Sequence, residues 1–268
     1  MKKTYQPEVI YYKDELGDEF SRAVITPRAI DEKYRYRRDR GFGKLLCFFW
    51  YRMVAIPLAT VYLKLKFRHK IIGREKLKLH AKEGVFVYGN HTQPTADALI
   101  PTFISYPRWA HVVVHPNNVS MPILGRITPY MGALPLPDGL AAARNFTRAV
   151  SSCIEDGRPV FIYPEAHIWP YYTGIRPFTD NSFAYPVRCG APVYCFTNTY
   201  KKRRSPKRAR IITYVDGPFY PDGGLSPAAA RRRLRDEVLE CMERRAALSD
   251  RVLVEYRSMT ENKGQKND

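Results

Sequence analysis

The segment 84–97 (GVFVYGNHTQPTAD) constrains the fold more than any other part of the chain. It begins with an apolar run typical of a buried strand, and His91 follows directly after the Gly-Asn that ends this run. Pro94 then forces a turn, and Asp97 stands where a helix is expected to begin. The pattern predicts a strand that carries a histidine at its exposed end, with a carboxylate close enough to orient the ring. A general base is commonly presented in this way.

Strand-like and helix-like segments alternate through the rest of the chain. Strands are predicted at 85–88, 111–115, 160–163, 192–197 and 211–215, and helices at 95–105, at 138–155 and from Ser226 onward. This alternation predicts an α/β fold, a mixed sheet flanked by helices, with its chemistry at strand ends. We expect a charged N-terminal extension (1–40), a membrane-interface helical segment (41–70), the main domain (71–257) and a polar tail (258–268) that frays.

Composition narrows the classes of protein to which the chain can belong. Of its 268 residues 45 % are hydrophobic, which is enough for a sizeable core and argues against global disorder. The formal net charge of +18 predicts an anionic partner. The five cysteines are scattered without a C-x-x-C pair, which is typical of reduced thiols, and the polar first forty residues do not predict a signal peptide.

A nearly apolar stretch, 45–63, predicts contact with a membrane. As a helix it could just cross a bilayer core, but Arg52 and Pro57 interrupt it. Basic residues flank it on both sides: Arg35, Arg37, Arg38, Arg40 and Lys44 before it, and Lys64, Lys66, Arg68 and Lys70 after it. We therefore expect a kinked helix that lies in the interface with its flanks on anionic headgroups. The alternative is a buried core helix.

The His91 and Asp97 pair indicates proton transfer. A neutral imidazole can take a proton from an alcohol, and a carboxylate on its other nitrogen selects the tautomer and stabilises the imidazolium. The sequence has no G-x-S-x-G motif and no cysteine in an obvious reactive turn. A His–Asp pair without a protein nucleophile predicts direct transfer to a substrate hydroxyl that the histidine activates.

Two further segments contain candidate binding residues. The strand at 160–163 runs into Tyr163-Pro164-Glu165, where Glu165 is placed either to bind an acceptor hydroxyl or to cap a helix. Gly132, in the segment 123–138 (ILGRITPYMGALPLPD), lets the backbone approach a ligand closely.

A metal site and a nucleic-acid site are both disfavoured. His111 and His115 flank three valines and therefore belong to a strand, which would place their rings ~13 Å apart. The basic segment 201–210 (KKRRSPKRAR) lies between two apolar strands without interleaved aromatic residues, so it resembles a hairpin tip that faces solvent or headgroups. We expect no metal and no nucleic-acid partner.

Taken in order, these blocks resemble the glycerolipid acyltransferases, the 1-acylglycerol-3-phosphate (lysophospholipid) acyltransferase family. Asn90-His91 with Asp97 is similar to the family's catalytic His–Asp motif. The segments that resemble its other three blocks are Gly125…Gly132-Ala133-Leu134-Pro135, Phe161-Ile162-Tyr163-Pro164-Glu165 and Gly190-Ala191-Pro192-Val193-Tyr194. The resemblance extends over about 45–247.

The resemblance implies a membrane-associated acyltransferase domain that acts in phospholipid biosynthesis. A fatty acyl group would pass from acyl-CoA or acyl-carrier protein, as co-substrate, to a hydroxyl of a lysophospholipid at the cytoplasmic face of the cell membrane. His91 would deprotonate the hydroxyl and Asp97 would orient His91, with no further cofactor. The implied substrate-binding residues are Asn90, Gly132, Tyr163, Pro164 and Glu165.

The chain departs from the family pattern at three points. Five residues separate His91 from Asp97 instead of four, and we expect the helix to start at Pro94 with the extra residue in the preceding turn. The arginine expected after the third block is absent, and Asp138 replaces the one that closes the second block. Arg126 and Arg176 are candidate substitutes. These departures leave open the alternative of a catalytically degenerate relative that binds lipid or carrier protein without turnover.

Overall fold

Nine strands form two sheets in the computed structural model, which describes residues 5–20, 25–38 and 41–259. The strands are β1 (Glu8–Tyr12), β2 (Lys70–Ile72), β3 (Val85–Gly89), β4 (His111–Val114), β5 (Ala133–Pro135), β6 (Pro159–Ile162), β7 (Val193–Lys202), β8 (Ala209–Phe219) and β9 (Val254–Ser258). The main sheet has the order β2-β8-β7-β3-β6-β4-β5, and only the β7–β8 pair in it is antiparallel. The predicted α/β class with a mixed sheet is therefore confirmed.

Helices cover both faces of this sheet. They are α1 (Phe42–Phe67), α2 (Ala96–Ser105), α3 (Leu124–Ile127), α4 (Gly139–Glu155), α5 (Ala184–Cys189) and α6 (Pro227–Ala246). Short 3-10 turns lie at Arg74–His80, Pro116–Val119, Thr128–Met131 and Asn181–Phe183.

Alternation along β3 assigns the helices to their faces, because successive strand residues point to opposite sides of a sheet. Val85 and Val87 belong to the apolar cluster that contains α2 and the end of α1. Phe86 and Tyr88 belong to the cluster that contains α4, α5 and α6. The strand is fully buried on both sides, as its continuous apolar sequence predicts.

Apolar patterning located the central elements but not the ends of every strand. β7 and β8 extend to Lys202 and Phe219, well beyond the predicted 192–197 and 211–215, because their antiparallel ladder continues through buried polar residues such as Thr199. Helix α2 begins at Ala96 and not at Pro94, which lies in the preceding turn. Asp138, the first residue of the predicted helix 138–155, lies directly before α4, and its carboxylate accepts from Ile30 N (2.8 Å) and does not cap the helix.

The two chain ends form a pair of strands that the sequence pattern did not reveal. β1 lies within the predicted N-terminal extension and pairs in parallel with β9, near the other end of the chain. Between them and the main domain lies an aromatic cluster in which Trp169 stacks on Tyr256 and contacts Tyr12 and Phe20. Residues 260–268, most of the tail predicted to fray, lie outside the described part of the chain, as does Arg40.

Helix α1 packs one narrow stripe on the domain and exposes the rest. α-helical and π-helical turns follow one another along its 26 residues. The buried stripe repeats every four or eight positions: Cys47, Tyr51, Ala59, Leu63 and Phe67. The exposed large apolar residues of the helix are Phe42, Leu45, Phe48, Phe49, Met53, Leu58, Val61 and Leu65. Only 17 % of its most apolar stretch is buried, so the alternative of a core helix is wrong.

Anchors along α1 fix its path over the sheet. Tyr51 stacks on Trp109 at a centroid distance of 4.8 Å, and its hydroxyl accepts from Ala110 N at 3.0 Å. The Arg52 guanidinium points away from the exposed apolar face of the helix and donates to the Pro107 carbonyl. The basic hairpin tip binds the other end, where Arg203 donates to the Lys66 carbonyl at 2.7 Å. The C-terminal end of α1 therefore lies beside β7 and β8.

A substitution at Gly84 tests the close packing between the start of β3 and the end of α4. A Cβ at this position would meet backbone atoms of Ile154 at 2.2–2.6 Å, so Gly84→Ala must push β3 away from the end of α4. We expect the substitution to lower the free energy of unfolding by about 1–3 kcal/mol. Gly223→Ala, where a Cβ meets nothing within 4 Å, is the matched control and should leave the denaturation midpoint unchanged. Equal midpoints for the two variants would contradict this packing.

Candidate functional site

His91 lies at the carboxyl end of β3 with its ring partly open to solvent. Its side chain is 24 % exposed, and Nδ1 lies 2.9 Å from Asp97 Oδ2. The five intervening residues do not separate the pair, because a turn at 94–95 absorbs the extra residue before α2 begins. The other ring nitrogen, Nε2, makes no hydrogen bond to any residue that the structure describes, so it is the position available to a substrate.

The Asp97 carboxylate is buried and fully engaged. Besides His91, Oδ2 accepts from the backbone N–H of Thr92 (2.8 Å) and of Gln93 (2.7 Å), while Oδ1 accepts from Asn198 Nδ2 (3.1 Å). Burial raises the pKa of Asp97, and the hydrogen bonds from His91 and the two backbone amides oppose that rise. A carboxylate held in this way fixes the ring orientation and, with it, the tautomer that carries its proton on Nδ1.

Tyr163 forms one wall of the site. Its ring stacks on the His91 ring at a centroid distance of 4.6 Å and an angle of 24°. Its hydroxyl donates to the main-chain carbonyl of Asp97, and burial raises the pKa of Tyr163 well above its usual value. The stacked ring therefore holds the imidazole by packing and remains a neutral phenol.

Glu165 lies behind His91 and faces the interior. Its side chain is completely buried, and Oε2 accepts from the His91 main-chain N–H at 3.4 Å. Arg176 Nε lies 3.5 Å from the same oxygen without a hydrogen bond, and Oε1 has no hydrogen-bond partner among the described residues. Burial raises the pKa of Glu165 to about 7, against the opposing effect of the Arg176 charge. The structure therefore places this carboxyl beneath the turn that contains His91 and shields it from solvent.

The two candidate arginines lie in very different surroundings. Arg176 is completely buried, and its guanidinium donates to the main-chain carbonyls of Glu165, His167 and Glu15. The guanidinium stabilises the loop after β6 through these hydrogen bonds, and its charge is not exposed at the surface. Arg126 is exposed on α3, in the connection between β4 and β5.

The remaining predicted residues divide between the two edges of the sheet. Asn90 is buried beside His91 and exchanges hydrogen bonds with the backbone of Asn198, and the half-buried Pro164 precedes Glu165. Gly132 lies at the opposite, amino-terminal edge. Its φ is +96°, and a Cβ at this position would lie 2.3 Å from the Ala110 carbonyl oxygen, so the backbone alone explains the glycine. The structure does not bring Gly132 to His91.

Several residues of the site escape recognition in the sequence. Asn198 lies within β7, which runs past the end of β3 and places the asparagine beside Asp97. Tyr200, also on β7, donates to Thr92 Oγ1 at 2.8 Å. The loop after β6 adds main-chain hydrogen bonds from Trp169 to the His91 carbonyl and from Tyr171 to the Thr92 carbonyl. The only signal was a polar triplet, 197–199, that follows directly after the apolar start of the strand.

The arrangement can remove a proton from an alcohol but offers little to a metal. Among residues 5–20, 25–38 and 41–259, no cluster of three histidine, cysteine or acidic side chains could hold a metal ion. The buried carboxylate and the open Nε2 lie on opposite sides of one imidazole, which is the geometry of a general base.

Glu165 predicts a measurable pH dependence of stability. Its pKa is about 7 in the folded protein and 4.5 in its ordinary state, so the folded state binds more protons between these values. Its contribution to stability is therefore lost as the pH rises from 4.5 to 7. Glu165→Gln should remove this loss, so that its stability relative to wild type improves by on the order of 2 kcal/mol between pH 5 and pH 8. If the free energies of unfolding of Glu165→Gln and of wild type, measured by urea denaturation, changed equally with pH, the raised pKa of Glu165 would be contradicted.

Comparison with known proteins supports the fold. No protein-family model matches the chain, and no curated protein matches it at a significant level. Among solved structures, it resembles the crystal structure of the 1-acyl-sn-glycerophosphate (LPA) acyltransferase PlsC from Thermotoga maritima. The TM-score is 0.54, with 16 % sequence identity over 78 % of this chain and 84 % of PlsC. The chain therefore has an acyltransferase-like α/β fold.

Proposed function

We propose that the protein is a membrane-associated O-acyltransferase, which moves a fatty acyl group from an acyl thioester to a hydroxyl of a lysophospholipid. The observation that carries the proposal is the imidazole of His91, bound to a buried carboxylate through Nδ1 and open at Nε2. The fold shared with PlsC supports the same reaction class.

His91 acts as the base in this mechanism. Nε2 takes the proton of the acceptor hydroxyl while its oxygen attacks the thioester carbonyl, and the buried Asp97 stabilises the imidazolium that forms. The tetrahedral intermediate collapses with loss of the thiolate, which takes the proton back from His91. The products are the new ester and the free thiol. No covalent acyl-protein intermediate is required.

The surface charge suits an anionic donor and acceptor. Both acyl-CoA and acyl-carrier protein are anionic, and the basic hairpin tip lies where β7 and the end of α1 meet, on the His91 side of the sheet. Arg176 is buried and so takes no part in acceptor binding in this proposal. The exposed Arg126 remains a candidate for a phosphate group.

The exposed face of α1 is the proposed membrane contact. Its apolar side chains form a stripe longer than a soluble surface normally exposes, and lysines surround its C-terminal end. We place the protein on the cytoplasmic face of the cell membrane as a peripheral or monotopic protein, with the helix in the interface of an anionic bilayer. The acceptor lipid would then reach His91 from the membrane surface.

A degenerate relative that binds lipid or carrier protein without turnover is the second candidate. The observation that favours it concerns the arginines of the family pattern: Asp138 stands in place of one of them, and Arg176, a candidate substitute, is buried. The intact His91–Asp97 pair favours turnover. The alternative predicts lipid binding that does not depend on His91, and no product from any donor.

Replacement of His91 tests the reaction. We expect His91→Ala to lower the transfer of a labelled acyl chain, from acyl-CoA or acyl-carrier protein to a panel of lysophospholipids, by about 10²–10⁴-fold, because the base is lost. His115→Ala is the matched control, since His115 is exposed directly after β4, which β6 separates from β3 in the sheet, and does not contact Asp97. Transfer that survives in His91→Ala at the wild-type rate would refute the mechanism.

Replacement of exposed leucines tests the membrane contact. Leu58 and Leu65 are 66 % and 72 % exposed on α1, so glutamates there should abolish sedimentation with vesicles of phosphatidylcholine and phosphatidylglycerol. Leu140→Glu is the control, because Leu140 is 89 % exposed but lies on α4, which covers the other face of the sheet. If the variant with glutamates at Leu58 and Leu65 bound vesicles as strongly as Leu140→Glu, the proposed position of α1 in the interface would be contradicted.

A further inference from the structure

A line of hydrogen bonds continues from Asp97 on the side away from His91. Asn198 Nδ2 donates to Asp97 Oδ1 at 3.1 Å. Thr213 Oγ1 in turn donates to Asn198 Oδ1 at 2.6 Å, and His69 Nε2 lies 2.8 Å from Thr213 Oγ1. The His91–Asp97 pair is therefore the end of a chain of five side chains.

Each member of this chain is held by its own element. Asn198 on β7 and Thr213 on β8 are direct partners in the antiparallel ladder, and both are almost completely buried. Asn90 fixes the main chain of Asn198 from the other side through two hydrogen bonds. His69 lies between α1 and β2, immediately before Lys70, which pairs with Ile212 of β8. The line therefore crosses the sheet from β2 to the turn before α2.

The donor and acceptor groups of these side chains determine the direction of each hydrogen bond in the line. An ionised carboxylate only accepts, so Asn198 must turn its amide NH2 to Asp97 and its carbonyl to Thr213. The threonine hydroxyl has a single proton, which goes to Asn198, and must accept from His69. Burial lowers the pKa of His69 to about 4, so the ring is neutral at pH 7 and can supply that N–H from Nε2. Every donor then points towards Asp97.

We propose that Asn198, Thr213 and His69 are positioning residues, which hold the Asp97 carboxylate ionised and turned towards His91. This inference rests on the proposed function, since it concerns the same site. Asn198 is the only hydrogen-bond partner of Asp97 Oδ1 among the described residues. Without it, a carboxylate oxygen would be left unpaired in the interior, where such a group is costly.

The loss of Asn198 should be visible in the titration of the His91–Asp97 pair. The pair is negatively charged only when its last titratable proton has left, so that the imidazole is neutral and the carboxylate is ionised. Asn198 stabilises that anionic form most, so its removal raises the pH at which the last proton leaves. The other groups that face the pair are Glu165, Arg176, Tyr163 and Tyr200, and none of them is changed.

Asn198→Leu and Thr213→Val test the proposal by two readouts. The first is the pH dependence of kcat/KM for acyl transfer, and the second is the titration of the His91 ring protons by NMR, which needs no substrate. We expect the acidic limb and the NMR titration to move up by about one pH unit in Asn198→Leu. Thr213→Val should give a smaller shift in the same direction, because it weakens the polarisation of Asn198.

Thr199→Val is the matched control. Thr199 is equally buried in the same ladder, but its hydroxyl donates to the Ile212 carbonyl and not to any of the five side chains in the line of hydrogen bonds. It should lower stability without moving the titration, as a purely structural residue would. Wild-type titration in both Asn198→Leu and Thr213→Val would overturn the proposal. If Asn198→Leu does not fold, Thr213→Val against Thr199→Val decides alone.

The two readouts also separate this proposal from the proposed function. An NMR shift in a protein that transfers no acyl group to any acceptor would refute the acyltransferase and support the positioning role. Acyl transfer that depends on His91, with a titration unchanged in both variants, would support the acyltransferase and refute the positioning role.

Discussion

The site depends on one buried carboxylate and the donors gathered around it. Asp97 is almost completely excluded from water, so its charge is tolerated only because both oxygens accept hydrogen bonds. These donors come from the turn after β3 and from β7, and the turn has to close tightly to supply two of them from backbone amides. One electrostatic requirement thus joins the start of α2, the end of β3 and the middle of β7. His91 is oriented as a consequence.

The two faces of the main sheet are covered differently. Helices α4, α5 and α6 form a conventional apolar layer on one face. On the other face, the described residues that cover the sheet belong mainly to α2, one stripe of α1 and the turn at Arg74–His80, and the remainder of α1 stays exposed. In the proposed function this exposed surface is the contact with the bilayer. The basic hairpin tip, which binds the end of α1, would then supply positive charge to that contact.

Patterns along the sequence predicted the elements that are built from apolar residues. The buried run of β3, the alternation of strands and helices and the position of His91 at a strand end all followed from local spacing. The roles of buried polar residues did not follow. The resemblance suggested Arg176 as a substitute for a missing arginine of the family pattern, yet it lies in the interior and hydrogen-bonds to the loop that contains Glu165 and His167. Nothing in the local sequence distinguishes the two uses of an arginine.

The sequence by itself determined the class of fold, the apolar helix with its basic flanks, and the histidine and aspartate that form the pair. Only the tertiary structure decided that an extra residue between them still allows a 2.9 Å contact. It also decided that Gly132 lies at the far edge of the sheet, and that Asn198 and Thr213 reach Asp97. The reason is physical: apolar periodicity is a local property of the chain, whereas the partners of a buried charge come from whichever strands the sheet places beside it.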